Sequence, residues 1–127
     1  MDGYLLDTHA LLWWLNDGQK LSSRAYKVIN DENNAVYVSA AVTWEIVIKR
    51  AKGQLTFQGD VEQEIAKQAF ILLSISHKHA QHVGTLPDIH QDPFDRIMIA
   101  QSQLENLTLV THDRFILKYN NLKILKT

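Results

Sequence analysis

The sequence predicts a three-layer α/β/α sandwich around a mostly parallel sheet of four to five strands. Two observations carry this. Short apolar runs rich in β-branched and aromatic residues alternate with segments of helical period, as they do when a parallel sheet is covered on both faces. And the first run, Tyr4-Leu5-Leu6, ends abruptly in Asp7-Thr8-His9 before a second apolar block from Ala10 to Leu15. That is the pattern of a buried strand that delivers a carboxylate to its C-terminal end and passes straight into a helix. Ligands of open parallel sheets collect at that end, so Asp7 is the first candidate site residue.

The remaining elements follow in order. The first helix spans His9 to Leu15 and stops at the turn formers Asn16-Asp17-Gly18. Ser22 is placed to cap a helix carrying Ala25, Val28 and Ile29, with Leu21 and Tyr26 positioned as a hydrophobic staple. Ala35 to Ser39 reads as the second strand. From Ala40 to Lys52 the period is helical, with Trp44, Val47, Ile48 and Ala51 on one face, Glu45 and Lys49 on the next, and Gly53 as the stop. Val61, Ile65 and Ala69 mark another helix, and Phe70 to Ile75 a third strand. A short helix from His77 to Gly84 and a loop from Leu86 to Gln91 lead to a helix from Pro93 to Glu105, whose proline suits the first turn. Leu107 to Thr111 is the fourth strand, and Leu122 to Leu125 the fifth.

With 127 residues, 46% of them hydrophobic, the chain is expected to form one domain, 1–127, with a proper core. Thirteen basic and fourteen acidic residues leave a formal charge of -1, so nucleic-acid binding would need a local patch and not a global field. There is no cysteine, which excludes disulfides and thiolate metal sites and suits a cytoplasmic location. Apolar runs fall far short of the roughly 20 residues that span a bilayer, so no membrane association is expected. Asp2 and Asp7 bracket the first strand, and no secretion signal is read there.

Four acids fall at one end of this arrangement. Asp7 and Asp113 follow the first and fourth strands, Glu45 lies in the opening turns of the helix after the second, and Asp95 opens the helix that returns to the fourth. Carboxylates this close would share protons or need a cation between them. All-oxygen ligation favours Mg²⁺ or Mn²⁺, which can activate a water and stabilise a phosphodiester in transit. Incidental clustering of acids on a small surface is the competing reading.

Several of these segments resemble a known family. Leu5-Leu6-Asp7-Thr8-His9, Ser39 through Trp44-Glu45-Ile46, Asp92-Pro93-Phe94-Asp95-Arg96 with Ile99-Ala100-Gln101, and Leu109-Val110-Thr111-His112-Asp113 are similar, in order, to segments of the PIN-domain ribonucleases. More narrowly they resemble the VapC-type toxins of type II toxin–antitoxin modules. The resemblance implies that Asp7, Glu45, Asp95 and Asp113 hold Mg²⁺ or Mn²⁺ for RNA cleavage, with Thr111, and Thr8 in like manner, orienting ligands or water. It also implies a homodimer and a small cognate antitoxin protein whose tail fills the groove. Asp92 is assigned to capping or to supporting the acids, and Arg96 to pairing with them in preference to a substrate phosphate.

Other residues are weighed against plainer roles. Lys49 either pairs with Glu45 or grips RNA backbone, whereas Arg50 reads as a solvated helix end. His77, His79, His82 and His90 match no zinc signature and are read as surface or loop residues, while His9 and His112 are expected to line the groove. Trp13, Trp14 and Trp44 are expected mainly in the core, although Trp13 and Trp14 point about 100° apart and one should reach a surface, against a partner. Two alternatives stand beside the nuclease. A receiver-type signalling domain would want paired acids after the first strand and an acceptor Asp after the third, where Ser76-His77 stands instead. A PIN-like binding module without turnover would have to keep four acids together with no cation, which is costly.

Overall fold

The computed structural model describes residues 3–127, so the reading placed on Asp2 lies outside the described residues. Among them, five strands form one wholly parallel sheet: β1 Gly3–Leu6, β2 Ala35–Ser39, β3 Ile71–Leu73, β4 Thr108–Thr111 and β5 Ile124–Lys126. Six α-helices cover it: α1 Thr8–Asn16, α2 Ser23–Asn30, α3 Ala40–Ala51, α4 Val61–Lys67, α5 His77–His82 and α6 Pro93–Glu105. Leu5, Leu6, Leu109 and Val110 are fully buried, as central parallel strands covered on both faces require.

The strand order is β3-β2-β1-β4-β5. The chain thus winds outward from β1 in one direction, then returns to its other side and winds in the opposite direction. Between β1 and β4 lies the switch point, where the connections diverge and leave a crevice at the strands' carboxyl ends. The segments Asp7-Thr8 and His112-Asp113 leave β1 and β4 at that crevice.

Side-chain caps set the helix starts. Ser22 Oγ accepts from the Ala25 N–H at 3.1 Å, and Ser39 Oγ from Ala41 at 3.0 Å, each satisfying an amide that has no partner within its helix. Gly53 ends the turn after α3 at φ +70°, where a side chain would be strained. The Tyr26 ring packs on Trp14, with ring centroids 5.2 Å apart.

Two expectations need correction. The buried face of α3 is Ala41, Val42, Glu45 and Ile46, whereas Trp44 is 58% exposed and Val47 43%. Apolar residues occupy most of this helix's circumference, so periodicity could not choose a face. Trp44 is therefore no core residue; its ring meets that of Phe94 edge-on, at 5.1 Å. The third strand is shorter than Phe70 to Ile75, and its Ile71 and Leu72 are exposed at the sheet edge. Trp13 and Trp14 lie on different sides of α1. Both are half-buried, Trp13 between His9 and His112, and Trp14 against Phe70 with its indole N–H on Gln68 at 3.0 Å.

Candidate metal centre at the switch point

Local structure fixes one oxygen of Asp7 and one of Asp113 at the crevice. Asp7 caps α1: its Oδ1 accepts from the Ala10 N–H at 2.8 Å, and its own N–H donates to Val110 of β4 at 3.1 Å. Asp113 does the same one strand over. Its Oδ1 accepts from Phe115 at 2.7 Å and Ile116 at 3.3 Å, while its N–H donates to Thr111 Oγ1 at 3.0 Å. Asp92 caps α6, its Oδ1 accepting from Phe94 and Asp95 at 2.8 and 3.2 Å, which frees the Asp95 carboxylate one turn on. Glu45, on the buried face of α3, has both oxygens engaged. Oε1 accepts the Thr8 hydroxyl at 2.5 Å and Oε2 the Lys49 ammonium at 2.6 Å.

A histidine joins these acids. His90 Nε2 lies 2.9 Å from Asp95 Oδ2 and 3.0 Å from Asp113 Oδ2, and its Nδ1 is 3.3 Å from the Asp92 amide nitrogen. Since that N–H must donate, the network assigns Nδ1 as acceptor and puts the ring proton on Nε2, shared between the two carboxylates. One donor atom from each of His90, Asp95 and Asp113 falls within 4.8 Å of the others.

The electrostatics make the cluster one system. Burial, and then the charge of Asp92, lifts the Asp95 carboxyl to about 7, with His90 opposing and Asp7 and Asp113 adding to the rise. Burial likewise raises Asp7, although hydrogen bonds from Thr111 and from the Ala10 and His112 amides oppose it. At Asp113 burial is outweighed by the His90 hydrogen bond and the Phe115 and Ile116 amides, so its carboxyl falls below the ordinary range. The Lys49 ammonium is raised by its hydrogen bond to Glu45, against its partial burial, and further by the charges of Glu45, Asp92 and Asp95. Buried negative charge that one carboxyl relieves by holding its proton to near neutrality is a donor set suited to a hard divalent cation.

The structure therefore brings Asp7, Asp95 and Asp113 together, with Glu45 alongside, buried and tied through Thr8 to the start of α1. Both threonines act on carboxylates, Thr8 on Glu45 and Thr111 on Asp7. Lys49 forms its expected pair with Glu45, and Arg50, expected in solvent, binds the Phe57 and Gly59 carbonyls at 3.1 and 2.9 Å.

Three further residues depart from their expected roles. Arg96 does not pair with the acids: its guanidinium donates to the carbonyls of Pro87 at 3.0 Å, His90 at 3.1 Å and Val83 at 3.2 Å, so it fastens the loop before α6. His79 is buried, not a surface residue; it accepts from the Ser76 N–H in a capping box and meets Glu105 at 2.8 Å. His90 belongs to the site. Its sequence signal is proximity, two residues before Asp92 and five before Asp95, and not a zinc-type spacing.

Residues 4–122 match the family model described as PIN domain. Solved structures share the fold across nearly their whole length. VapBC2 from Rickettsia felis bound to a promoter DNA fragment aligns at TM-score 0.69 and 17% identity over 98% of each chain. A toxin–antitoxin complex from Klebsiella pneumoniae aligns at 0.64 and 20% over 97% of this chain and 96% of that one. FitAcB from Neisseria gonorrhoeae gives 0.65 and 19% over 97% and 96%. No curated protein matches the sequence.

Proposed function

Because the chain belongs to the PIN domain family, we propose that it is a Mg²⁺- or Mn²⁺-dependent ribonuclease, the VapC-type toxin of a type II toxin–antitoxin pair. The observation that carries this reading is the convergence of Asp7, Asp95 and Asp113 at the switch point, with the Asp95 carboxyl raised to about 7. Such a pocket is costly to keep unless a cation enters it.

In this reading Asp7, Asp95 and Asp113 would hold the ion and Glu45 would complete the acidic wall. When bound, a divalent ion lowers the pKa of a coordinated water and stabilises charge on the phosphodiester. The chain's own residues set the geometry for that chemistry. The α1 cap and Thr111 aim Asp7, and the Phe115 and Ile116 amides aim Asp113. Thr8 and Lys49 fix Glu45 from both sides. The Lys49 side chain stays 41% exposed, so the same ammonium can meet a backbone phosphate at the crevice edge.

One domain over 1–127, a homodimer and a cognate antitoxin complete the proposal. The neighbouring structure from Klebsiella, a toxin–antitoxin complex, supports a partner of this kind. So does the apolar surface where Trp44, Val47 and Leu72 lie exposed about one groove. Among the described residues no helix is long and apolar enough to cross a membrane, and a chain without cysteine suits the reducing cytoplasm.

The test is cleavage of single-stranded and structured RNA with Mg²⁺ or Mn²⁺, with EDTA, and after Asp7→Asn or Asp95→Asn. Loss of the ion or of either carboxylate should lower the rate at least about a hundredfold, since metal charge stabilisation is worth several kcal/mol. Cleavage that persists in EDTA and in both variants would reject the assignment.

A further inference from the structure

We propose that His90 is itself a metal ligand, supplying an imidazole nitrogen beside Asp95 and Asp113, and that it makes the site favour Mn²⁺ over Mg²⁺. The inference deepens the metal-site reading above and rests on it.

The geometry comes first. An octahedral ion with ligands at about 2.1 Å holds adjacent donors about 3.0 Å apart. His90 Nε2 stands 2.9 Å from Asp95 Oδ2 and 3.0 Å from Asp113 Oδ2, the spacing of neighbouring corners in such a shell. The shared Nε2 proton now lies between the two carboxylates, where positive charge is most favourable. Ligation transfers that proton to Nδ1, which gives up the 3.3 Å contact from the Asp92 N–H, the longest of the ring's polar contacts.

The position is also built. His90 donates its backbone N–H to the Tyr119 hydroxyl at 3.0 Å and receives Arg96 Nη1 on its carbonyl at 3.1 Å. Its ring packs against Phe115 at 5.4 Å between centroids, and the side chain is only 12% exposed. These contacts fix the ring's place beside Asp95 and Asp113. Metal sites need their supporting residues locked in this way.

The chemistry follows from the donor. Mg²⁺ seeks oxygen ligands and keeps its waters, whereas first-row transition ions accept imidazole readily. A nitrogen at one corner therefore costs Mg²⁺ more than Mn²⁺.

The experiment uses the full chain stripped with EDTA and titrated with MnCl₂ or MgCl₂ alone. Electron spin-echo modulation of bound Mn²⁺ should show a nitrogen coupling that changes with ¹⁵N-histidine labelling, a readout that needs no variant. His90→Gln should abolish the coupling and weaken Mn²⁺ binding about tenfold or more, while changing Mg²⁺ binding less than about threefold. Mn²⁺ bound by the unmutated protein without a histidine coupling would overturn the proposal and leave the metal-site reading standing. Tighter Mn²⁺ binding by His90→Gln would also overturn it, making the ring a competitor for the ion. No binding of either ion at millimolar concentration would remove both readings.

Discussion

Asp95 shows how much a single side chain can carry. Its carboxyl is raised from 3.8 to about 7 by burial and by Asp92, so between those values the unfolded chain releases a proton that the native chain keeps. The native state therefore binds more protons in that window, and its stability falls as pH climbs from about 4 to about 7, then levels off. A tenfold change in proton affinity is worth about 1.4 kcal/mol, so the whole effect is on the order of a few kcal/mol. The raised Asp7 acts in the same direction, and the lowered Asp113 acts only below the ordinary carboxylate range. Thermal midpoints in EDTA should fall from pH 5 to pH 8, and Asp95→Asn should flatten much of that slope. An equal slope in the two proteins would show that Asp95 does not titrate there. The sequence marks Asp95 as one of four converging acids, but the extent of its shift is not legible there. Its burial and its neighbours come from the fold.

At the scale of elements, what could be read depended on whether the controlling interaction was local. Ser22, Asp92 and Gly53 announce helix ends because a cap is made within a few residues, and all three are found in those roles. The face of α3 was not readable, because Trp44, Val47 and Ile48 compete with Ala41, Val42 and Ile46 for the interior. What decides is packing against α6 and the sheet, which turns Glu45 inward. The sequence shows the segment 83–91 only as a helix end and a loop, yet Arg96 and Tyr119 reach it from other elements and give it a fixed shape. Arg96→Ala should accordingly cost about 2–3 kcal/mol, since hydrogen bonds from a charged donor are worth about 1.5–3 kcal/mol and several carbonyls would lose their partner together. Denaturant unfolding would measure the loss, and hydrogen exchange should show faster exchange at the Leu86 and His90 amides. Unchanged protection there would mean that the loop holds its shape without the guanidinium.

The molecule as a whole is organised by the winding of its sheet. Alternation of strand and helix was enough to predict a parallel α/β fold, and the order β3-β2-β1-β4-β5 then follows from short connections that reverse direction once. That reversal draws residues 7, 45, 95 and 113 to one crevice although they span most of the chain. The acids were identifiable beforehand because each follows a strand or opens a helix at that end. Their partner His90 lies on a loop, outside that rule. A cation bound there would join the ends of β1 and β4 to the start of α6, contacts that exist only when the entire domain is folded. Its binding energy should therefore appear as global stability. Mn²⁺ at about a hundred times its dissociation constant would add about 2.7 kcal/mol, roughly 10 °C in midpoint for a domain of this size. Asp7→Asn, Asp95→Asn and Asp113→Asn should each remove most of that gain. Calorimetric scans with and without Mn²⁺ decide the matter: a gain that survives all three substitutions would place the bound ion somewhere other than the switch point.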